Sequence, residues 1–370
     1  NVRRSCMYPR ILVDLEKLSH NAMTVFSMMK NTGIDHPFVV TKMLAGNKAI
    51  AKIFEKTGFS YLADSRIDNL KAFESIAMKK VLLRIPMGFE AKKVIRFSDI
   101  SLNSELETIR ILNHEAQKQG KNHKIILMFD LGDLREGIWF DDDYIVLVEE
   151  ILKLTHIDLF GIGTNLTCYG GVIPTTSMME RLIEMKRTIE STFNIFIPIV
   201  SGGNSSSIHL VMQGLMPDGI NNLRLGEIIV LGRETSFGQK IEGLYDDVFT
   251  VEAKVIELKT KPSYPIGETG LDSFGVVPVI EDKGMMRRAI LAIGKQDVHP
   301  HNLTPKDPSL HVIGGSSDHL IMEDTFSKLH LQDTVSFHLN YPGLLQCMTS
   351  KYVYKSLIKN AITTNGKGKS

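Results

Sequence analysis

From residue 38 onward, eight short β-rich runs alternate with helical patterns, and this count constrains the fold more than any other feature of the chain. The runs cover residues 38–43, 61–65, 80–86, 100–104, 124–131, 157–165, 195–204 and 221–229. Between them, apolar residues recur at helical spacing, as in Ala49-Ile50-Ile53-Phe54, Leu106-Ile109-Ile111-Leu112 and Met178-Met179-Leu182-Ile183-Met185. Gly33, Gly58 and Gly120 stand where such helices should stop, at the left-handed position that glycine tolerates best. A strand followed by a helix eight times over predicts an α/β fold, the closed parallel (β/α)8 barrel of the TIM type.

One strand pattern, residues 8–15, precedes the first barrel strand and is left over from the count. After about Thr235 the texture changes to short β-like runs at 248–258, 276–280, 288–293, 310–313 and 334–339, with helical spacing only near 344–348. The expected organisation is a barrel at 16–235 and an all-β C-terminal domain at 236–360, joined by the N-terminal strand 8–15. The tail 361–370, rich in Gly, Lys and Thr, is expected to be disordered. With 370 residues, 43% of them hydrophobic, the chain can fill two cores. Lys and Arg number 43 against 42 Asp and Glu, so no global field favours nucleic acid or an anionic membrane, and a small-molecule partner is expected. No apolar stretch approaches the length of a membrane span, and Asn1 to Met7 lacks the apolar centre of a signal peptide, so a cytoplasmic location is expected. Cys6, Cys168 and Cys347 are odd in number and far apart, and read as free thiols. The Asn-x-Ser/Thr triplets at Asn165, Asn204 and Asn302 then read as coincidences of composition.

Barrel active sites lie at the C-terminal ends of the strands, so the polar residues there can be read as a set. Lys42 closes the first run, in Val40-Thr41-Lys42-Met43. It is either a strand-end lysine snorkelling to water or an amine whose desolvation lowers its pKa toward the range for imine formation with an aldehyde cofactor. Asp130 and Arg135 come at and after the fifth run, and Asn165 ends the sixth. After the seventh, Ser201-Gly202-Gly203-Asn204-Ser205-Ser206-Ser207 opens into a helical pattern. That turn is either a phosphate cradle or an ordinary serine cap. Arg224, on the eighth, is either salt-bridged within the barrel or part of a site. Together, an amine, an anion cradle and a rim arginine are what pyridoxal 5′-phosphate requires.

These residues resemble the pyridoxal-phosphate racemases of fold type III, the alanine racemase superfamily, and most closely its ornithine/alanine racemase branch. The resemblance runs from about Tyr8 to Lys359. It is carried by Tyr8-Pro9-Arg10-Ile11 with Asp14-Leu15, by Val40-Thr41-Lys42, by Asp64 to Leu70, by Ser201 to Ser206, and by Leu223 to Glu227 with Leu231 to Thr235. It implies a homodimer with shared active sites that interconverts the enantiomers of an amino acid, ornithine or a related basic one, or alanine, by α-proton exchange. Lys42 would hold the cofactor as a Schiff base and act as one acid/base group. Ser205, with the backbone at Gly226 and Glu227, would hold the phosphate, Asn204 and Asn165 would line the site, and Arg224 would face the pyridine nitrogen. Arg135 would contact the substrate carboxylate or the cofactor phenolate.

The family's pattern is also broken in places. Where alanine racemases carry a phosphate-contacting tyrosine after the lysine, this chain reads Met43-Leu44-Ala45-Gly46. The second base, a tyrosine from the partner's β-domain in those enzymes, is replaced by Lys295 in Ile293-Gly294-Lys295-Gln296-Asp297. Lys295, Asp297, Cys168 and Tyr169 are the candidates for its role. Tyr352 would replace a second phosphate tyrosine, and Asp297 or Asp318 would receive a distal substrate amine. The rival readings are a decarboxylase of basic amino acids, a non-catalytic pyridoxal-phosphate carrier and a metal-dependent aldolase. The decarboxylases carry a Gly-Pro-x-Cys segment where this chain has Gly314-Gly315-Ser316-Ser317, and the carriers have the barrel alone. His299 and His301 near Asp297 do not make a convincing metal site, and none is expected.

Overall fold

The computed structural model describes residues 7–272 and 274–359; Cys6 and the expected tail at 361–370 lie outside them. The chain divides into two compact units, Leu18–Asp246 on one side and, on the other, the segment up to Lys17 with everything from Asp247 onward. Strand β1 (Arg10–Asp14) belongs to the second unit and is followed by the helix Leu15–Asn31.

Within Leu18–Asp246, eight parallel strands close into a ring: β2 (Phe38–Val40), β3 (Tyr61–Asp64), β4 (Lys79–Leu82), β5 (Ile100–Asn103), β6 (His123–Asp130), then, beyond the two-residue adjunct β7 (Ile138–Trp139), β8 (Ile157–Thr164), β9 (Ile199–Asn204) and β10 (Asn222–Leu225). Neighbours follow the order β5-β4-β3-β2-β10-β9-β8-β6, and β5 pairs with β6 to complete the barrel. Closure leaves no exposed edge and buries one face of every strand inside. Alternate residues supply that filling: Phe38 with Val40, Ile100 with Leu102, and Ile126 with Met128 join Ala63, Val81 and Ile199 in one buried cluster. On β8 the chain uses Gly161 and Gly163, because a Cβ would lie 2.9 Å from Ile199 Cβ at the first and 2.9 Å from Ser201 Cβ at the second.

Seven of the eight barrel strands end before the sequence runs do, and β9, which ends with its run at Asn204, begins later, at Ile199. β2 stops at Val40; Thr41 N–H still reaches Ala63 O at 2.8 Å, and Lys42 then opens a single 3-10 turn, Lys42–Leu44, that ends at Ala45 with φ 49°. The eighth run likewise splits into β10 and a helix, Glu227–Leu231, with Gly226 between them. Apolar composition continues across both junctions, which is why the pattern did not mark them.

The second unit holds an antiparallel sheet: β11 (Phe249–Pro262), β12 (Met285–Leu291), β13 (Leu303–Pro305), β14 (Leu310–Gly315), β15 (Leu320–Asp324) and β16 (Thr334–Leu339), in the order β13-β16-β11-β12-β15-β14. β1 pairs antiparallel with β11 and parallel with β17 (Tyr354–Ile358). The expected strand at 276–280 does not form: Val276, Val277 and Val279 stand exposed in a long loop, where β-branched composition finds no pairing partner. β15 escaped notice because a buried Asp324 occupies its core-facing end, held by the backbone N–H groups of Lys328 and Leu329.

The packing at β8 gives a direct test. Gly163→Ala drives a methyl against Ser201 Cβ and lowers stability by about 1–3 kcal/mol, as overpacking does in closed cores. A shifted urea midpoint with an unchanged slope would register it.

Candidate active site

The ladder between β10 and β2 sets the centre of the site. Arg224 pairs with Phe38 and Leu225 with Val39. One step further Gly226 abuts Val40 so closely that a Cβ would lie 3.1 Å from Val40 Cβ and 2.7 Å from Met43 Cε. The register therefore lays Glu227 alongside Thr41 and Lys42. Thr41 is fixed from behind, its hydroxyl donating to Asp64 Oδ2 at 2.9 Å, while Asp64 Oδ1 accepts from Arg66 N and Asn69 Nδ2.

Burial is the main reason that the Lys42 amine is held below the ordinary lysine range. Arg135 and Arg224 push it the same way, whereas Cys168 and Glu227 oppose them. Burial also raises Glu227 to about 7, with Glu234 adding to the rise and Lys42 resisting it. The lysine read from the sequence as either solvated or desolvated is partly exposed as a residue, with its amine held down by burial.

Arg224 is 4% exposed and makes three hydrogen bonds: Nη1 donates to Ser201 Oγ at 2.5 Å, and Nη2 to Thr164 O at 2.8 Å and Asn165 Oδ1 at 3.2 Å. Ser201 passes the chain on to Asn222 Oδ1, and Asn222 Nδ2 reaches His36 O. The carboxylate partner considered for Arg224 is thus replaced by neutral acceptors. Burial lowers its pKa to about 10, which leaves it a cation at neutral pH. Asn204 Nδ2 links Asn165 Oδ1, Leu166 O and, at 3.4 Å, Cys168 Sγ.

The serine turn begins as a 3-10 turn, Ser205–Ser207, and runs on into the helix Ile208–Met212. Asn204 Oδ1 accepts from Ser206 N at 2.8 Å, so the expected cap is made by the asparagine, and Ser205 Oγ accepts from Ile228 N at 3.4 Å. Three buried atoms of this rim, Thr164 Oγ1, Asn165 Nδ2 and Ser206 Oγ, have no hydrogen-bond partner within the chain. Buried polar atoms are rarely left that way, and a bound water or polar ligand commonly completes them. A buried hydroxyl in a Gly-rich turn, a second at the end of β8 and an amide beside a buried arginine suit a phosphate and an aromatic nitrogen.

Sequence reading overlooked Asp133. It is fully buried, and its carboxylate accepts the N–H groups of Cys168 at 3.1 Å, Tyr169 at 3.0 Å and Val172 at 3.2 Å, while its carbonyl accepts Gly170 N. One carboxylate thus binds the loop after β8 to the loop that carries Arg135. Nothing local marks it, because the amides that it collects lie 35 to 39 residues away. Glu136 was overlooked too; its carboxylate pairs with both Nε and Nη2 of Arg135.

Lys295, Asp297, Asp318 and Tyr352 belong to the second unit. Lys295 Nζ lies 3.3 Å from Asp272 Oδ2 and 3.9 Å from the centre of the Phe274 ring. Asp297 is buried and accepts Ser350 Oγ at 2.6 Å, Asp318 accepts Gln296 Nε2 at 2.6 Å, and Tyr352 is exposed. Among the described residues no group of three or more His, Cys, Asp or Glu is arranged to hold a metal ion, and no helix is long and apolar enough to cross a membrane.

Comparison with known proteins places this geometry in context. Residues 13–234 match the family model for the alanine racemase N-terminal domain. The chain is 46% identical over 354 residues to an ornithine racemase of Acetoanaerobium sticklandii, covering 95% of this chain and 100% of that protein. It is 38% identical over 352 residues to a lysine racemase of Thermotoga maritima, covering 94% and 98%. Among solved structures, an alanine racemase from Bartonella henselae with covalently bound pyridoxal phosphate superposes with a TM-score of 0.69 at 17% identity, covering 94% and 99%.

Two measurements examine the site's construction. A carboxyl whose pKa rises from 4.5 to about 7 on folding keeps a proton that the unfolded chain has released, so stability is lost as pH climbs through that window. Glu227→Gln abolishes this loss, and the stability gap between variant and wild type widens from pH 4.5 to about 7 and is flat above. Asp133→Asn weakens three charge-assisted hydrogen bonds, and hydrogen exchange at the amides of Cys168, Tyr169 and Val172 accelerates about 10-fold or more.

Proposed function

The chain belongs to the alanine racemase family, and we propose that it is a pyridoxal-phosphate-dependent racemase of a basic amino acid, ornithine or lysine. The observation that carries this reading is the desolvated Lys42 at the mouth of the barrel, beside a buried Arg224 and a serine turn with an unpartnered hydroxyl. The extensive identity with an ornithine and a lysine racemase supports the substrate class.

Ser205 and Ser206, with the backbone at Gly226 and Glu227, are assigned to the phosphate, Asn204 and Asn165 to the wall of the site, and Tyr352 to a further phosphate contact. When bound, the cofactor supplies an aldehyde that joins an amine and a ring that draws electrons from the neighbouring carbon–hydrogen bond. Lys42, its amine held below the usual lysine range by burial, takes or returns the α-proton on one face. Arg224 keeps its own proton, so it offers a hydrogen bond to a ring nitrogen without transferring a charge to it. Arg135 holds the substrate carboxylate. Lys295 and Asp297 are assigned to the opposite face as candidates for the second acid/base group. The same reading makes the enzyme a cytoplasmic homodimer with shared sites, its barrel at 16–235 and its β-domain at 236–360.

Incubation with L-ornithine in deuterated water provides the test. Equal amounts of the two enantiomers, each carrying deuterium at Cα, are expected, and Lys42→Ala slows the reaction about 10²- to 10⁴-fold. Exchange without inversion would remove the second acid/base group, and release of carbon dioxide would replace racemisation by decarboxylation.

A further inference from the structure

The carboxylates that bear on Lys42, Arg135 and Arg224 are Asp133, Glu136 and Glu227. Each is a candidate receptor for a substrate's distal ammonium, beside the Asp297 and Asp318 expected from the sequence, which are engaged with Ser350 and Gln296 in the second unit. Asp133 is fully buried and committed to three backbone N–H groups. Glu227 begins the helix after β10, beside Ser205, where it would face the cofactor's phosphate, and burial favours its neutral acid. Glu136 differs from both. Among the described residues no backbone N–H donates to it, its side chain is 20% exposed, and it is the ion-pair partner of Arg135 and lies within the field of Arg224.

Building on the racemase reading above, we infer that Glu136 is the specificity-determining residue, the receptor for the distal ammonium of a basic amino acid. The pairing with Arg135 supplies the mechanism of selection. The substrate's α-carboxylate takes the Arg135 guanidinium, which frees the Glu136 carboxylate, and the distal ammonium then replaces the guanidinium as its partner. Each charge is paired before and after, so a basic substrate enters without leaving a charge stranded in a half-buried site. A neutral side chain takes Arg135 but leaves Glu136 without a cation, and is disfavoured for that reason. Discrimination therefore comes from the penalty on the wrong substrate as much as from the contact with the right one.

The experiment compares L-ornithine with L-norvaline, a neutral amino acid with the same carbon skeleton, on cofactor-loaded wild type and on Glu136→Gln. The expected result is that the ratio of kcat/KM for ornithine to that for norvaline falls about 10- to 100-fold in the variant, with Glu136→Asp recovering part of it. A role confined to loop structure would depress both substrates together and leave the ratio unchanged, and that outcome overturns the assignment. A wild-type enzyme that racemises norvaline but not ornithine overturns the basic-substrate reading itself, a result distinct from an unchanged ratio in an enzyme that does turn over ornithine.

Discussion

Closure of the barrel between β10 and β2 is the constraint on which the site depends. Two strands remote in sequence must meet there, and their register fixes what stands beside what. Arg224 falls on the inward face level with Phe38, and Gly226 fits against Val40 and Met43 because it has no side chain. From this single ladder follow the proximity of Glu227 to Lys42, the burial that lowers the lysine's pKa, and the depth at which the arginine lies. A one-residue slip would turn Arg224 out of the barrel and bring Leu223 or Leu225 in.

The rim treats its buried carboxylates and its buried arginine in opposite ways. Asp130, Asp133 and Glu234 are turned upon the chain's own N–H groups: Asp130 takes Gly132 and Leu134, and Glu234 takes Ser236, Phe237 and Gln239. Such carboxylates stiffen loops and have little capacity left for a ligand. The cations are treated differently. Arg224 is satisfied by neutral oxygens, so burial does not cancel its charge with a permanent counterion. A cationic cleft built on anion-stiffened loops is suited to receive an anionic cofactor and a substrate carboxylate.

Most of the fold was legible because alternation of strands and helices is a local signal repeated eight times. Strand ends were less legible, since Lys42 and Glu227 lie in turns whose apolar neighbours continue the pattern. In the β-rich unit the signal failed both ways: Val276 to Ile280 has strand composition without a partner, and Leu320 to Asp324 has a partner but a buried charge in its pattern. Among the candidate site residues, Lys42, Ser205 and Arg224 stood out in the sequence because their chemistry is visible in residue type and in their place at strand ends. Asp133 could not, because its meaning comes from what the folded loops bring to it, whereas Glu136 was passed over although its partner Arg135 is its neighbour in sequence. Asp133 becomes a clamp only once the backbone of Cys168 to Val172 arrives.

The pairing of Lys42 with Glu227 has a consequence that neither residue carries alone. Desolvation drives both toward their neutral forms, the lysine down and the carboxyl up to about 7. Their mutual attraction works against it, and the two ionisations are coupled, so that a proton gained by one changes the cost of ionising the other. The carboxyl, at about 7, changes its charge near neutral pH beside an amine that burial holds below its ordinary range. An amine that must at different moments be neutral and protonated benefits from such a neighbour, because its proton can be accommodated without bringing a new charge into the barrel. The geometry that creates this balance is the ladder register, which the Gly226 contact with Val40 and Met43 does not permit to vary.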